Sequence, residues 1–149
     1  MTSFLPRVII PTNITKLRSG IKLEKDFFED NLSLGVDIEA VNRFEKMIIR
    51  FKQESLKRIY TETELNYCFS KKNPAPGLAA RFAFKEAAFK ALSPLGQKIY
   101  YPQVEIINSP SGAPQGHFIS EELNRKFALK VTLSHSRSQA IAVVLALRL

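Results

Sequence analysis

The sequence predicts an α+β domain in which long helices pack on a small antiparallel sheet. Three observations favour this fold: apolar residues at helical spacing in the first half of the chain, a capping box that opens a further helix, and two strand-like segments near the C-terminus. With 149 residues, 45% of them hydrophobic, the chain is large enough for one such domain with its own core. We assign residues 34–149 to this domain and treat residues 1–33 as an N-terminal extension packed on it.

The first half of the domain is predicted to contain one strand and three helices. Residues 34–38 are apolar except for Asp37, and we interpret them as a short buried strand. A capping box, Thr61 with Glu64, opens the second helix, and residues 78–92 form the third after a proline-containing loop. The first helix, over residues 41–51, is indicated by apolar residues at helical spacing: Val41, Phe44, Ile48 and Phe51.

The second half of the domain is predicted to be mainly strands and turns. A strand, a turn, a short helix and two final strands are expected in that order, over residues 101–107, 109–114, 119–127, 129–133 and 140–147. The two final strands are joined by a short segment that contains Ser134 and His135. This histidine is a candidate catalytic base, phosphate ligand or turn residue, and no nearby acidic residue supports a Ser-His-Asp triad.

The composition limits the classes of protein to consider. Lys and Arg number 22 against 14 Asp and Glu, and the resulting net charge of +8 favours an anionic partner: nucleic acid, acidic protein, an anionic membrane or a phosphorylated small molecule. The single cysteine, Cys68, excludes an internal disulfide and a Cys-built metal site, whereas an oxygen-ligand site for a hard cation stays open. Since no apolar run is long enough to span a bilayer, we expect a soluble, cytoplasmic protein.

Two carboxylates in apolar surroundings are candidates for a metal site. A carboxylate at Asp37 must be paired, bind a metal or point outward, or else it caps the helix that begins near Glu39. Glu86 shares a helix face with small apolar residues, so it either lines a cleft or pairs with Lys90 four residues later. Two carboxylates on separate elements suit Mg²⁺, which also takes phosphate oxygens and water. The nearby cations Arg81, Lys85 and Lys90 favour a polyphosphate ligand.

Several segments in this order carry a resemblance to a known family over about residues 34–147. They are Gly35-Val36-Asp37-Ile38, residues 58–65, the Arg-Phe-x-x-Lys-Glu-Ala-x-x-Lys-Ala pattern of residues 81–91, Gly112-Ala113-Pro114 and Leu133-Ser134-His135-Ser136. Together they resemble the motifs of the holo-acyl-carrier-protein synthases, the small bacterial type of 4′-phosphopantetheinyl transferase. Residues 93–97 depart from the family pattern because they hold one glycine where the family has a Gly-rich turn, and residues 1–33 have no counterpart.

The resemblance implies a phosphopantetheinyl transferase fold and a specific reaction. The family transfers 4′-phosphopantetheine from coenzyme A to a serine of an apo acyl carrier protein (EC 2.7.8.7), with Mg²⁺ as cofactor and adenosine 3′,5′-bisphosphate as product. It also implies a homotrimer with active sites at the subunit interfaces. The residues implied for catalysis are Asp37, Glu86 and Lys90, with Asp37 and Glu86 as metal ligands. Those implied for coenzyme A are Arg81, Lys85, Lys90, Ser134 and His135. Those implied for contact with the acidic carrier protein are Arg43, Met47 and Arg50.

Two other functions are weighed against this one. A non-catalytic relative could bind carrier protein or coenzyme A without transfer, but residues of the family's site that decay would have removed are all present: Asp37, Glu86, Lys90 and His135. A basic nucleic-acid-binding domain agrees with the net charge, but it leaves two carboxylates in apolar contexts unexplained. We therefore expect neither nucleic acid nor a membrane as a partner.

Overall fold

The computed structural model of the chain describes residues 27–51 and 53–149. Most of the predicted N-terminal extension, and with it the predicted packing of that extension, lies outside the described residues. Residues 27–31 are helical and lead directly into the first strand, so the boundary predicted after residue 33 falls within that strand. In the described part of the chain, no helix combines the length and the apolar composition needed to cross a membrane.

The described residues form a three-stranded antiparallel sheet, a separate two-stranded hairpin, and a long helix that contacts both. The sheet has the strand order β1-β5-β4, and β2 pairs with β3 in the hairpin. The predicted α+β fold is therefore confirmed. The elements are β1 (Leu32–Ala40), α1 (Val41–Arg50), α2 (Gln53–Leu56), α3 (Glu62–Phe69), α4 (Ala75–Leu92), β2 (Val104–Asn108), β3 (Pro114–Phe118), α5 (Glu121–Lys126), β4 (Phe127–His135) and β5 (Gln139–Arg148).

The centre of the fold is the contact between α4 and one face of the sheet, which we call the inner face. Small side chains line both surfaces and are fully buried: Ala83, Ala87 and Ala91 on α4, and Ala140, Ala142 and Ala146 on β5. Gly35 of β1 lies against the same helix, where an added Cβ would overlap the Ala87 carbonyl oxygen and lie 2.8 Å from the Ala91 nitrogen. Because these residues are small, the helix backbone can approach the strands closely.

The strand β1 differs from the buried strand that the sequence predicted. Its aliphatic residues Leu34, Val36 and Ile38 are each more than half exposed, on the face of the sheet that points away from α4. Gly35 and Asp37 alternate with them on the inner face, opposite Val144 and Ala142 of β5. The prediction that the aliphatic segment is buried was wrong, because the two-residue period of a strand sends the carboxylate, not the aliphatic groups, towards the helix.

Other helix and strand boundaries also differ from the predicted ones, for local reasons. The helix α4 begins at Ala75 rather than Leu78, since Pro76 is tolerated in the first helical turn. The helix α1 ends at Arg50, and Phe51, expected on its apolar face, is extended and exposed. Residues 101–103 form a 3₁₀ turn, so β2 begins at Val104, and the strand β3 was not predicted.

We predict that Gly35→Ala lowers the free energy of unfolding by about 3 kcal/mol or more, because the new methyl group meets helix backbone that cannot move aside. Gly96→Ala is the matched control. Gly96 has a φ of 74° but nothing within 4 Å of an added Cβ, so its substitution should cost only about 1–2 kcal/mol of conformational strain. Urea unfolding measures both. Equal losses for the two variants would contradict a close contact at Gly35.

Candidate active site

One pair of candidate residues meets where β1 passes the last turn of α4. The Lys90 ammonium donates to Asp37 Oδ1 at 2.8 Å and to the Val36 carbonyl at 3.1 Å. The hydrogen bond to Asp37 raises the pKa of Lys90, so this side chain stays protonated at neutral pH. Asp37 is 14% exposed and Lys90 50% exposed, so the pair lies at the protein surface with the carboxylate more enclosed than the ammonium.

The second candidate carboxylate, Glu86, lies one helical turn before Lys90 and is partly buried. Its Oε1 accepts a hydrogen bond from the Tyr101 hydroxyl, and this bond, with partial burial, raises the pKa of Tyr101 to about 12. Glu86 and Tyr101 line a pocket of about 350 Å³ with Arg58 and Phe89. The alternative of a Glu86–Lys90 ion pair is not found, because Lys90 pairs with Asp37 instead.

Asp37, Glu86, Lys90 and Tyr101 form what we call the carboxylate cluster. Its members are close enough for their charges to interact. The negative charge of Glu86 contributes to the raised pKa of Lys90, and that of Asp37 contributes to the raised pKa of Tyr101. The cluster thus brings together residues from β1, α4 and the turn that precedes β2. Asp37, Glu86 and Lys90 are the residues that the sequence analysis assigned to catalysis, whereas Tyr101 was not predicted.

The carboxylate cluster has the chemistry needed to hold a hard divalent cation. Asp37 Oδ2 is buried and has no hydrogen-bond partner among the described residues, which leaves one oxygen ready for a cation. Glu86 supplies a second carboxylate from another element. Among the described residues there is no group of three or more potential metal-ligating His, Cys, Asp or Glu side chains. A two-carboxylate site of this kind fits Mg²⁺, which completes its coordination with phosphate oxygens and water.

A second pocket of about 480 Å³ holds two other predicted residues, Arg81 and His135. Arg81 is only 4% exposed; its Nη2 donates to Asn108 Oδ1 at 3.0 Å, and its guanidinium lies 4.2 Å from the centre of the Tyr67 ring. Its Nε is buried without a partner among the described residues. His135 and the adjacent Ser134 are exposed at the end of β4. This pocket presents a cationic and aromatic surface that suits an anionic ligand.

The pocket beside Glu86 and the second pocket, beside Arg81, are separate. In the described part of the protein they share no lining residue, so the structure does not bring Arg81 and His135 into the carboxylate cluster. It therefore divides the predicted site residues into two groups, each next to open space. Ser134 does not line the second pocket; it lines a shallow pocket with His135 and with Ile38 of β1.

Lys85, for which the sequence predicted a phosphate contact, faces neither pocket. Its side chain is fully buried and forms an ion pair with Glu64 of α3 at 2.8 Å. Its ammonium also donates to the carbonyl oxygens of Tyr101, at 2.9 Å, and Val104. Burial lowers the pKa of Lys85, and the charge of Glu64 opposes this shift. Because all three ammonium protons have acceptors, none is free for a phosphate in this conformation.

The three residues predicted to contact a carrier protein lie on α1, but in different environments. Arg43 is held by two hydrogen bonds to Glu39, at 2.8 and 2.9 Å, and its guanidinium lies 4.9 Å from the Phe82 ring. Met47 is half-buried against the core, and Arg50 is exposed. Of the two predicted arginines, the helix therefore presents one that is fixed by an ion pair and one that is exposed to solvent.

Sequence reasoning missed Tyr101 and recognised only part of the role of Glu64. Glu64 was identified as the third residue of a capping box, which the structure confirms, but its Oε1 also accepts from the Ile106 backbone N–H at 3.1 Å. Tyr101 contacts a residue 15 positions away, and no local pattern marks such a partner. A second tyrosine, Tyr67, was missed for the same reason.

Comparison with known proteins gives the class of protein. Residues 33–144 match the model of the 4′-phosphopantetheinyl transferase superfamily. This match covers most of the chain, and the chain belongs to this family.

Particular relatives in this family are holo-[acyl-carrier-protein] synthases. The one from Dehalococcoides mccartyi is 39% identical over 120 residues, covering 77% of this chain and 98% of the relative. The one from Chloroherpeton thalassium is 33% identical over 117 residues, covering 76% of this chain and 96% of the relative. The structure is similar to that of the Helicobacter pylori enzyme in complex with coenzyme A, with a TM-score of 0.65, 32% identity, and coverage of 76% of this chain and 98% of that one. The Bacillus anthracis enzyme in complex with CoA (3′,5′-ADP) gives a TM-score of 0.64, 27% identity, and coverage of 78% of this chain and 96% of that one. The resemblance stated from the sequence is confirmed.

We predict that the same substitution has a large effect on stability at one lysine of α4 and a small effect at another. Lys85→Met should lower the free energy of unfolding by about 3–5 kcal/mol, because it leaves Glu64 charged and buried without its cationic partner. Lys90→Met should change it by only about 0–1 kcal/mol, since this ion pair is half exposed. Urea unfolding of both variants checks the prediction. A Lys85→Met protein as stable as the wild type would show that Lys85 is not a structural residue.

Proposed function

We propose that this protein transfers 4′-phosphopantetheine from coenzyme A to a serine of an apo acyl carrier protein and releases adenosine 3′,5′-bisphosphate. The observation that carries the proposal is the carboxylate cluster, in which a buried, unpartnered Asp37 oxygen lies beside a protonated lysine and a second carboxylate. The relatives named holo-[acyl-carrier-protein] synthase, and the solved relatives that bind coenzyme A, support the same reaction.

Lys90 has the properties needed to bind a pyrophosphate. Its ammonium stays charged, is half exposed, and is fixed by two acceptors from β1. Attack of a serine hydroxyl on phosphorus builds up negative charge on the phosphoryl oxygens, and a cation positioned in advance stabilises that charge. We therefore assign Lys90 to the pyrophosphate of coenzyme A.

Asp37 and Glu86 would hold Mg²⁺ in the carboxylate cluster. When bound, this ion neutralises charge on the pyrophosphate and orients it for displacement. The residues of the chain prepare the place: Lys90 holds Asp37 through Oδ1, and Tyr101 holds Glu86 through Oε1. Each carboxylate thus keeps one oxygen fixed by the protein and the other available for a ligand.

The remaining predicted residues support an active site shared between subunits. Arg81 and His135 line the second pocket, Ser134 lines the shallow pocket next to His135, and neither pocket is lined by a member of the carboxylate cluster. One molecule of coenzyme A contacts both groups if the second pocket of one subunit meets the cluster of its neighbour. A homotrimer with three such interfaces is our proposal for the assembly.

The exposed face of the sheet supplies a surface for this assembly. Leu34, Val36 and Ile38 of β1 form an exposed aliphatic stripe, which Ile141 of β5 extends next to Ile38. Stripes of this kind mark protein interfaces, because exposed contiguous apolar surface is costly in water. The position of the stripe, on the strand that also carries Asp37, agrees with an interface next to the active site.

The helix α1 is our proposed contact surface for the carrier protein. Arg43 and Arg50 offer positive charge, Met47 adds an apolar contact, and a chain of net charge +8 attracts an acidic partner. We propose the cytoplasm as the place of reaction. The free, buried thiol of Cys68 agrees with a reducing compartment.

The test of the proposed function is intact-protein mass spectrometry of an acidic apo acyl carrier protein incubated with coenzyme A, Mg²⁺ and this protein. We expect the mass of one phosphopantetheine group to be added. Asp37→Asn and Glu86→Gln should each lower the rate at least about 100-fold without unfolding the protein, because each removes a charge from the cluster and opens no cavity.

Glu121→Gln is the matched control, because Glu121 is an exposed carboxylate on α5 that touches neither pocket. It should leave the rate unchanged. Binding of coenzyme A without any mass gain would favour the non-catalytic alternative. Wild-type turnover of Asp37→Asn at limiting Mg²⁺ would show that the metal assignment is wrong.

We predict that two inactive variants restore activity when they are combined in one oligomer. Asp37→Asn damages the carboxylate cluster and His135→Ala damages the second pocket, so a mixed oligomer contains some sites built from two intact halves. Coexpression of the two variants should recover roughly one quarter of the wild-type sites, as random mixing requires. No recovery in a verified mixed oligomer would place both groups in a site formed by one subunit.

A further inference from the structure

We propose that Tyr101 is a positioning residue that holds Glu86 in the orientation needed to bind a divalent cation. This inference rests on the proposed function, because it assigns a role to a neighbour of the proposed cation site. Among the described residues, the Tyr101 hydroxyl is the hydrogen-bond partner of the Glu86 carboxylate.

Tyr101 is fixed at three points, so its hydroxyl has little freedom to move. Its carbonyl oxygen accepts a hydrogen bond from Lys85 at 2.9 Å. Its ring packs against that of Phe82, with the ring centres 5.4 Å apart. Its hydroxyl donates to Glu86. Lys85 and Glu86 are consecutive residues of α4. Lys85 donates to the backbone carbonyl of Tyr101, and Glu86 accepts from its hydroxyl, so one helix restrains both ends of Tyr101.

The backbone around Tyr101 is also restrained. Pro102 follows it in a 3₁₀ turn, and the side chain of Gln103 accepts a hydrogen bond from the Tyr100 N–H at 2.7 Å. The Gln103 carbonyl accepts from the Ile119 N–H at 2.9 Å, next to the end of β3. A turn restrained in this way sets the position of the hydroxyl before any ligand arrives.

A carboxylate needs such a partner when it is to bind a cation. An unrestrained Glu side chain samples several rotamers, and fixing it on binding costs conformational entropy. A hydrogen bond to one oxygen removes that freedom in advance and leaves the other oxygen for the cation. Loss of an outer hydrogen-bond partner typically weakens metal affinity by about 10–100-fold. The buried Lys85–Glu64 pair gains a second role here, because it anchors the turn that carries Tyr101.

The test measures Mn²⁺ binding by electron paramagnetic resonance of the free ion, on the full-length protein with and without coenzyme A. Tyr101→Phe keeps the ring and its contact with Phe82 but removes the hydroxyl. We expect about tenfold weaker Mn²⁺ binding and an unchanged urea midpoint. Tyr100→Phe is the matched control, because it removes the hydroxyl of a neighbouring ring that is 77% exposed, and it should bind Mn²⁺ as the wild type does.

Wild-type affinity in Tyr101→Phe would overturn the inference, and so would tighter binding, which would mean that the hydroxyl competes with the ion. A lower urea midpoint with unchanged affinity would also overturn it and reduce Tyr101 to a structural residue. If the wild-type protein does not lower the signal of free Mn²⁺, it does not bind the ion, and this result would overturn the inference as well. The transfer assay on the wild type separates the two proposals: if transfer occurs but the Tyr101→Phe affinity is normal, the proposed function stands and only the positioning role fails.

Discussion

The close contact between α4 and the inner face of the sheet is the constraint on which the rest of the structure depends. Alanines on both surfaces and Gly35 on β1 let the helix backbone lie almost against the strands. The same closeness allows Lys90, at the end of the helix, to reach Asp37 and the Val36 carbonyl on the edge strand. The geometry of the carboxylate cluster is therefore a consequence of small side chains that take no part in its chemistry.

The helix α4 uses adjacent residues for opposite purposes. Lys85 is buried and joins α3 to the turn before β2, whereas Glu86 lies at the surface and faces a pocket. A buried ion pair is costly to form, and here its lysine also donates hydrogen bonds to two backbone carbonyl groups. In this way a polar contact inside the domain determines the shape of a site at its surface.

Local patterns predicted the parts of the fold and site that depend on local chemistry. The capping box at Thr61 and the α+β class were recognised from short segments and are confirmed, and the roles of Asp37 and Glu86 stay a prediction made from equally short segments. The environments of Lys85 and Lys90 were not separable, because both are lysines on one helix and their partners lie far away in sequence. The strand β3, with a proline and a glycine among its five residues, has low intrinsic strand preference and forms because β2 pairs with it.

The alternation of residues along β1 limits how this segment can vary. Aliphatic side chains occupy one face, and Gly35 and Asp37 occupy the other. Insertion or deletion of a single residue ahead of Asp37 would exchange the two faces: a carboxylate would enter the aliphatic stripe and a branched side chain would press against α4. Length changes in this strand are thus tolerable only in steps of two residues, or when both faces are rebuilt together.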